Sequence, residues 1–166
     1  MRKVIPNDAV LIPDHAQRVF EGVIYDVYQW QQQLYDGSST LFEKIRRIPS
    51  TDVILIDGDE IIISEQEQPG KGTFLSLFGG QIESGEEPLE SAQRELLEES
   101  GYEADHWLLL QVSNFPWDKL DWQHYLYLAT GARKVREPQP DAGEKIRLIH
   151  CSIDEFLELG RDRIYW

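Results

Sequence analysis

The sequence predicts an α/β protein in which a mixed β-sheet is covered by helices. Its 166 residues are enough for one hydrophobic core, and 41% of them are hydrophobic, which argues against global disorder. Segments with the pattern of strands outnumber segments with a helical period, and the two kinds alternate irregularly along the chain. This order predicts a mixed sheet with few helices.

The first fifty residues predict a hairpin extension. Residues 18–34 carry alternating apolar side chains on two faces and predict one long strand. Turn-forming residues follow at 35–39, and an extended pattern resumes through Ile48, so the two segments should pair until Pro49 ends the second one. We therefore separate an N-terminal strand and hairpin extension, residues 1–50, from a main domain at 51–166.

The main domain begins with a second predicted hairpin. The aliphatic runs TDVILI and EIIIS flank the turn at residues 57–59 and are typical of central strands that are buried on both faces. The next ten residues, EQEQPGKGTF, contain proline and two glycines and predict a loop. A short strand should follow at residues 75–78.

A helix is predicted from Pro88 to about Ser100. Proline suits the first turn of a helix, and Gly101 suits its C-terminal cap. The predicted buried stripe consists of Leu89, Ala92, Leu96 and Leu97. Strands are then predicted at 106–113, 122–129 and 145–151, and a final short helix should begin at Ser152, with Glu155 as its capping partner.

The composition excludes several classes of function. With 30 acidic and 16 basic residues the formal charge is −14, which disfavours binding to a nucleic-acid backbone. No apolar run approaches the roughly 20 residues of a membrane span. The single cysteine, Cys151, falls in a predicted strand and should be a buried thiol. We expect a soluble cytoplasmic protein with no nucleic-acid and no membrane partner.

Three glutamates share one side of the predicted helix. Glu95, Glu98 and Glu99 stand at positions i, i+3 and i+4. Like charges at this spacing repel one another weakly, so an exposed acidic face could tolerate them. The spacing alone leaves two interpretations open, a solvated face and a site for a divalent metal ion.

The residues around this helix resemble the signature of the Nudix hydrolases. The signature's seven fixed identities are all present within residues 80–102, namely Gly80, Glu86, Arg94, Glu95, Glu98, Glu99 and Gly101. Tyr102 occupies a slot that more often holds an aliphatic residue. The resemblance implies a Nudix-like α/β/α sandwich with a central mixed sheet and, in this chain, an extra N-terminal β-hairpin.

The resemblance also implies roles for these residues. Glu95, Glu98, Glu99 and the carbonyl of Gly80 would bind Mg²⁺, with Mn²⁺ as a substitute, because hard cations prefer oxygen ligands. Glu98 and Glu99 would be essential for catalysis. Arg94 would orient the site by pairing with Glu86, although an ordinary helical pair with Glu90 or Glu98 is an alternative. Glu83 is expected to be a solvated loop acid.

The hairpin extension resembles that of the ADP-ribose and nucleotide-sugar pyrophosphatases, whose N-terminal strands pack across a homodimer. By this resemblance Tyr28 and Trp30 would bind the substrate base, although aromatic residues in a strand can equally belong to a core or an interface. Pro116 and Trp117, in a later loop, are further candidates for substrate binding.

Glu144 stands at the end of a loop just before a predicted strand. In the ADP-ribose group a glutamate at this position can serve as general base, and the alternative is an ordinary loop acid. The chain departs from the pattern of the ADP-ribose group at residues 64–68. Members of that group often carry an arginine there, and this chain has the sequence SEQEQ.

We therefore expect a Mg²⁺-dependent hydrolase that cleaves the diphosphate of a nucleoside diphosphate linked to another group, most simply ADP-ribose or a nucleotide sugar. A nucleoside triphosphate pyrophosphohydrolase is an alternative within the same family. A non-catalytic Nudix-fold sensor of nucleotide metabolites is an alternative of another class.

Overall fold

The computed structural model describes residues 12–114 and 119–162. These residues form ten strands and two helices. The strands are β1 Gln17–Glu21, β2 Tyr25–Gln33, β3 Ser39–Arg47, β4 Ser50–Asp57, β5 Glu60–Gln68, β6 Gly72–Ser76, β7 Tyr102–Asn114, β8 Leu120–Asp121, β9 Gln123–Lys134 and β10 Lys145–Ser152. The helices are α1 Pro88–Ser100 and α2 Ile153–Asp162.

The chain divides into two compact units. The first contains the described residues of Met1–Pro49 and of Val112–His124, and the second contains Ser50–Gln111 and the described residues of Tyr125–Trp166. The first unit holds a four-stranded sheet in the order β1-β2-β3-β8. Its hairpin β2–β3 is antiparallel as predicted, and Trp30 lies opposite Phe42 in the register.

The long strand predicted at residues 18–34 is wrong, because these residues form the hairpin of β1 and β2. The chain turns at Gly22, whose N–H donates to the carbonyl oxygen of Tyr25 at 3.0 Å. A Cβ atom at Gly22 would lie 2.5 Å from that oxygen, so the turn requires glycine. Val23 and Ile24 continue the apolar pattern through the turn, which explains why the pattern alone does not show it.

The second unit is built mainly on a six-stranded sheet. Five of its strands follow the order β10-β5-β4-β9-β7, and the sixth, β6, pairs with β5. The prediction of central strands at β4 and β5 is confirmed. Their inward side chains join the side chains of α1 in a core whose fully buried members include Val53, Leu55, Ile62, Phe78, Ala92 and Leu96.

The loop predicted at residues 65–74 is wrong. Strand β5 continues to Gln68, and β6 returns antiparallel to it after a turn in which the N–H of Lys71 donates to the Gln68 carbonyl at 3.1 Å. Strand β4 pairs with residues 60–62 of β5 and β6 pairs with residues 64–68, while β10 pairs along residues 60–67. Strands β4 and β6 therefore share the edge of β5 that lies opposite β10.

Helix α1 has its predicted bounds, and α2 begins one residue after the predicted start at Ser152. Gly101 caps α1 in the left-handed conformation, with φ of 75° and an N–H that donates to the Leu97 carbonyl at 3.0 Å. Ser152 precedes α2 and exchanges hydrogen bonds with Glu155. Of the predicted buried stripe, Ala92 and Leu96 are buried, whereas Leu97 is half-buried and Leu89 is 37% exposed. The buried face of α1 is completed by Ser91, Glu99 and Ser100. Neither helix in the described part of the chain is long and apolar enough to cross a membrane.

Candidate active site

The loop that leads to α1 brings two glycines against the start of β4. The N–H of Thr51 donates to the carbonyl oxygen of Gly80 at 2.9 Å. A Cβ atom at Gly79 would overlap the carbonyl oxygen of Thr51, and one at Gly80 would overlap the carboxylate of Glu95. Glycine is thus required at position 79, where the φ angle is 157° and the clash is with backbone, whereas a side chain at position 80 would displace the carboxylate of Glu95. The Gly80 carbonyl keeps one lone pair beyond the bond from Thr51, and that lone pair can serve a metal ion.

The three glutamates of α1 differ in burial. Glu99 is 4% exposed, whereas the side chains of Glu95 and Glu98 are 16% and 41% exposed. A carboxylate that is removed from water loses hydration and needs compensation by hydrogen bonds or cations. A solvated acidic face therefore does not describe Glu95 and Glu99.

Glu99 is held by two donors, neither of which is a cation. The N–H of Gly79 donates to Oε2 at 2.9 Å, and the side-chain amide of Gln66 donates to Oε1 at 3.1 Å. Burial is the main cause that raises the pKa of Glu99 to about 8, and the negative charges of Glu95 and Glu144 raise it further against these two bonds. Because no cation offsets the loss of hydration, a bound cation would stabilise the charged form of the Glu99 carboxylate.

Arg94 links the carboxylates of the loop and the helix. It forms a two-point ion pair with Glu86, with Nε–Oε1 and Nη2–Oε2 distances of 2.9 and 3.0 Å. Its Nη1 also donates to Glu95 Oε1 at 2.9 Å and to Glu98 Oε2 at 3.2 Å. The hydrogen bond with Arg94 is the main cause that lowers the pKa of Glu86. The pairs with Glu86 and Glu98 therefore coexist, and one guanidinium sets the position of three carboxylates.

Glu144 lies in the irregular segment between β9 and β10. The side-chain amide of Gln68 donates to its Oε1 at 2.9 Å. The charge of Glu144 raises the pKa of both Glu95 and Glu99, so its carboxylate belongs to the same electrostatic cluster. A loop acid would be expected to point into solvent, whereas Glu144 is half-buried and hydrogen-bonded.

Comparison with known proteins decides the family. The NUDIX domain profile matches residues 46–165, which is more than half of the chain. The chain belongs to the Nudix family. The predicted α/β fold class and the assignment as a Nudix hydrolase are confirmed with it.

Two relatives and one solved structure resemble this chain over most of their length. It is 27% identical over 156 residues to a methanol dehydrogenase activator of Bacillus methanolicus, covering 90% of this chain and 83% of that protein. It is 25% identical over 152 residues to an ADP-ribose pyrophosphatase of Bacillus subtilis (strain 168), and the match covers 89% of this chain and 81% of that protein. The crystal structure of an ADP compounds hydrolase has the same fold, with a TM-score of 0.75 and 19% sequence identity. The match covers 89% of this chain and 80% of that one.

The chemistry of this Nudix site fits a hard divalent cation. Among the described residues, no group of three or more His, Cys, Asp and Glu side chains is arranged so that it could hold a metal ion as it stands. The donors on α1 are all carboxylates, however, and Arg94 occupies only one oxygen of Glu95 and one of Glu98. The other oxygen of each, the buried carboxylate of Glu99 and the Gly80 carbonyl form an all-oxygen set, which is the set that Mg²⁺ and Mn²⁺ prefer.

Sequence reasoning missed the contribution of β5 to the Nudix site. Ser64, Gln66 and Gln68 are on one face of β5, and the amide of Gln66 donates both to Glu99 and to the Ser64 hydroxyl, the latter at 3.1 Å. The Ser64 hydroxyl in turn donates to the Ser76 carbonyl at 2.9 Å. The signal was the two-residue alternation of uncharged and acidic side chains in SEQEQ, which is typical of a strand with two different faces.

The predicted substrate-binding aromatics have different surroundings. Trp30 is 9% exposed, its ring centroid lies 5.7 Å from that of Phe42, and its Nε1 donates to Gln32 at 2.9 Å. These contacts favour the core alternative for Trp30. Tyr28 is half-buried, with the guanidinium of Arg46 4.9 Å from its ring centroid. Pro116 and Trp117 lie outside the described residues.

Proposed function

We propose that this Nudix hydrolase cleaves the diphosphate of ADP-ribose or of a related nucleotide sugar in a Mg²⁺-dependent reaction. The observation that carries the proposal is the buried Glu99, which stands among further carboxylates and has no cationic partner among its hydrogen-bond donors. The substrate class is supported by the two relatives whose names concern ADP-ribose and ADP compounds. Hydrolysis would release two phosphate monoesters.

We assign the metal ligands to Glu95, Glu98, Glu99 and the Gly80 carbonyl, with Mn²⁺ able to replace Mg²⁺. When bound, the ion supplies positive charge against the diphosphate and makes water more acidic. It also explains how a protein with a formal charge of −14 attracts an anionic substrate.

The remaining groups position the reaction. Arg94 and Glu86 keep Glu95 and Glu98 in place through the ion pairs described above. Glu144 would act as general base and accept the proton of the attacking water on Oε2, since Gln68 occupies Oε1. Glu98 and Glu99 are essential because the ion requires both.

Tyr28 stays a candidate for binding the substrate base, whereas the ring of Trp30, the other candidate in β2, packs against Phe42 inside its own unit. Pro116 and Trp117 stay candidates for the same role.

Residues 1–50 are proposed as a dimerisation extension, since the edge strand β1 is exposed throughout and Phe20, Val23 and Leu41 are 58%, 92% and 57% exposed. Light scattering of the purified chain would detect the homodimer. The buried thiol of Cys151 suits the reducing cytoplasm, where we place the protein.

A substrate screen tests the proposal. The purified protein with Mg²⁺ would be incubated with ADP-ribose, nucleotide sugars, dinucleoside polyphosphates and nucleoside triphosphates, and the products identified by mass. AMP with ribose 5-phosphate, or the equivalent monoesters of a nucleotide sugar, would support it. Release of pyrophosphate from triphosphates would indicate the alternative pyrophosphohydrolase, and binding without turnover would indicate a sensor.

A further inference from the structure

The register of two strands places Gln68 beside Glu144. In the antiparallel pair β5–β10, Glu67 lies opposite Lys145. One step further along both strands brings Gln68 opposite Glu144, and their side chains meet at 2.9 Å. The contact therefore follows from strand pairing between residues that are 76 positions apart.

Carboxylates on the two faces of β5 have different kinds of partner. On the outer face, Glu65 and Glu67 form exposed ion pairs with Arg147 and Lys145, at 2.9 and 3.0 Å. On the site face, uncharged amides donate hydrogen bonds to Glu99 and Glu144. An amide donor carries no charge, so Gln68 holds the carboxylate of Glu144 in place without forming an ion pair with it.

The segment before Glu144 is held by α1 only in its first half. The N–H groups of Arg136 and Gln139 donate to the carbonyls of Gly101 and Glu98, at 3.2 and 2.7 Å. Residues 141–143 are exposed, and their turn closes on the N–H of Glu144. Backbone bonds to the end of α1 thus anchor only the first half of the segment, while the hydrogen bond from the Gln68 amide ties Glu144, at the end of the second half, to β5.

We propose that Gln68 is a positioning residue, which holds the Glu144 carboxylate toward the cluster on α1 so that Oε2 faces the reaction. The inference rests on the proposed role of Glu144 as general base. Gln68 acts through Glu144 and needs no contact with substrate. Its loss should lower turnover without weakening substrate binding.

The variant Gln68→Met keeps the length of the side chain and removes its donors. With ADP-ribose and Mg²⁺ we expect kcat to fall about tenfold or more, as for a lost hydrogen bond to a charged group, while KM stays within about twofold. Glu67→Gln is the matched control, because it breaks the neighbouring ion pair on the outer face and should leave kcat unchanged. A normal kcat in Gln68→Met would overturn the proposal.

A double-mutant cycle separates this proposal from the one on which it rests. In the Glu144→Gln background, Gln68→Met should have no further effect on the residual rate. Additive losses would show that Gln68 acts elsewhere. If Glu144→Gln itself has the wild-type rate, the base assignment fails together with the positioning role. If Glu144→Gln is inactive and Gln68→Met is normal, only the positioning role fails.

A measurement without substrate completes the test. Hydrogen exchange of the metal-free protein should be faster at residues 141–144 in Gln68→Met than in the wild type, and unchanged in Glu67→Gln. Equal exchange in all three proteins would contradict the proposal whichever substrate the enzyme uses.

Discussion

The helix α1 and the pair Gln68–Glu144 supply the same site by different means. On α1 the functional carboxylates are three and four residues apart, so the helical period alone brings them together. Gln68 and Glu144 are 76 residues apart and meet only because β5 and β10 pair in one register. The difference teaches that the part of the site for which we propose metal binding is local in the sequence, whereas the part for which we propose proton transfer depends on the pairing of distant strands.

The largest expected effect concerns the local part. Replacing Glu99 with Gln, or Glu98 with Gln, should lower Mg²⁺-dependent turnover by about a thousandfold or more, because an amide cannot supply the charge that the ion needs. Circular dichroism should show an unchanged fold. Glu83→Gln is the control, since Glu83 is exposed and belongs to the same signature segment. Wild-type rates in both variants would refute the assignment of the metal ligands.

The next effect concerns the distant part. Glu144→Gln should lower kcat by a factor of about 10² to 10⁴, which is the usual contribution of a general base, and leave KM nearly unchanged. Steady-state kinetics with ADP-ribose would measure both constants. A raised KM with a normal kcat would instead assign Glu144 to substrate binding.

A smaller loss is expected for Arg94→Lys. Lysine keeps the charge but cannot form the two-point pair with Glu86 while also reaching Glu95 and Glu98. We expect kcat to fall about tenfold and the free energy of unfolding to fall by about 1 to 3 kcal/mol. Urea unfolding and kinetics on the same preparation would test this, and unchanged values in both would show that the guanidinium geometry is dispensable.

The last prediction concerns the effect of pH on the stability of the metal-free protein and involves no change in turnover. The pKa of Glu99 is about 8 in the folded chain and near its ordinary value of 4.5 in the unfolded chain. Between these values the unfolded chain releases the proton while the folded chain retains it, so this group lowers stability as pH rises from 4.5 to 8. Urea unfolding in EDTA at pH 5 and pH 8 should show this decline in the wild type and a weaker one in Glu99→Gln. An equal loss of unfolding free energy between pH 5 and pH 8 in both proteins would contradict the contribution of Glu99.

The sequence was most informative where one element carried the whole pattern. Proline at the start of α1, Gly101 after its end and the helical spacing of apolar residues between them predicted a helix from Pro88 to about Ser100, and α1 spans Pro88–Ser100. It was least informative where an apolar or polar pattern continued through a change of structure. Val23 and Ile24 masked the turn after β1, and the polar residues of SEQEQ concealed the second half of β5.

The sequence by itself determined the Nudix signature, the helix that displays it and the chemistry of its carboxylates, because these depend on spacing within one helical segment. Only the tertiary structure decided that Glu99 is buried, that Gln66 and Gln68 serve the site, and that Trp30 belongs to a core. The physical reason is that burial and strand register are set by contacts between residues far apart in the chain, and no local pattern encodes which residues those partners will be.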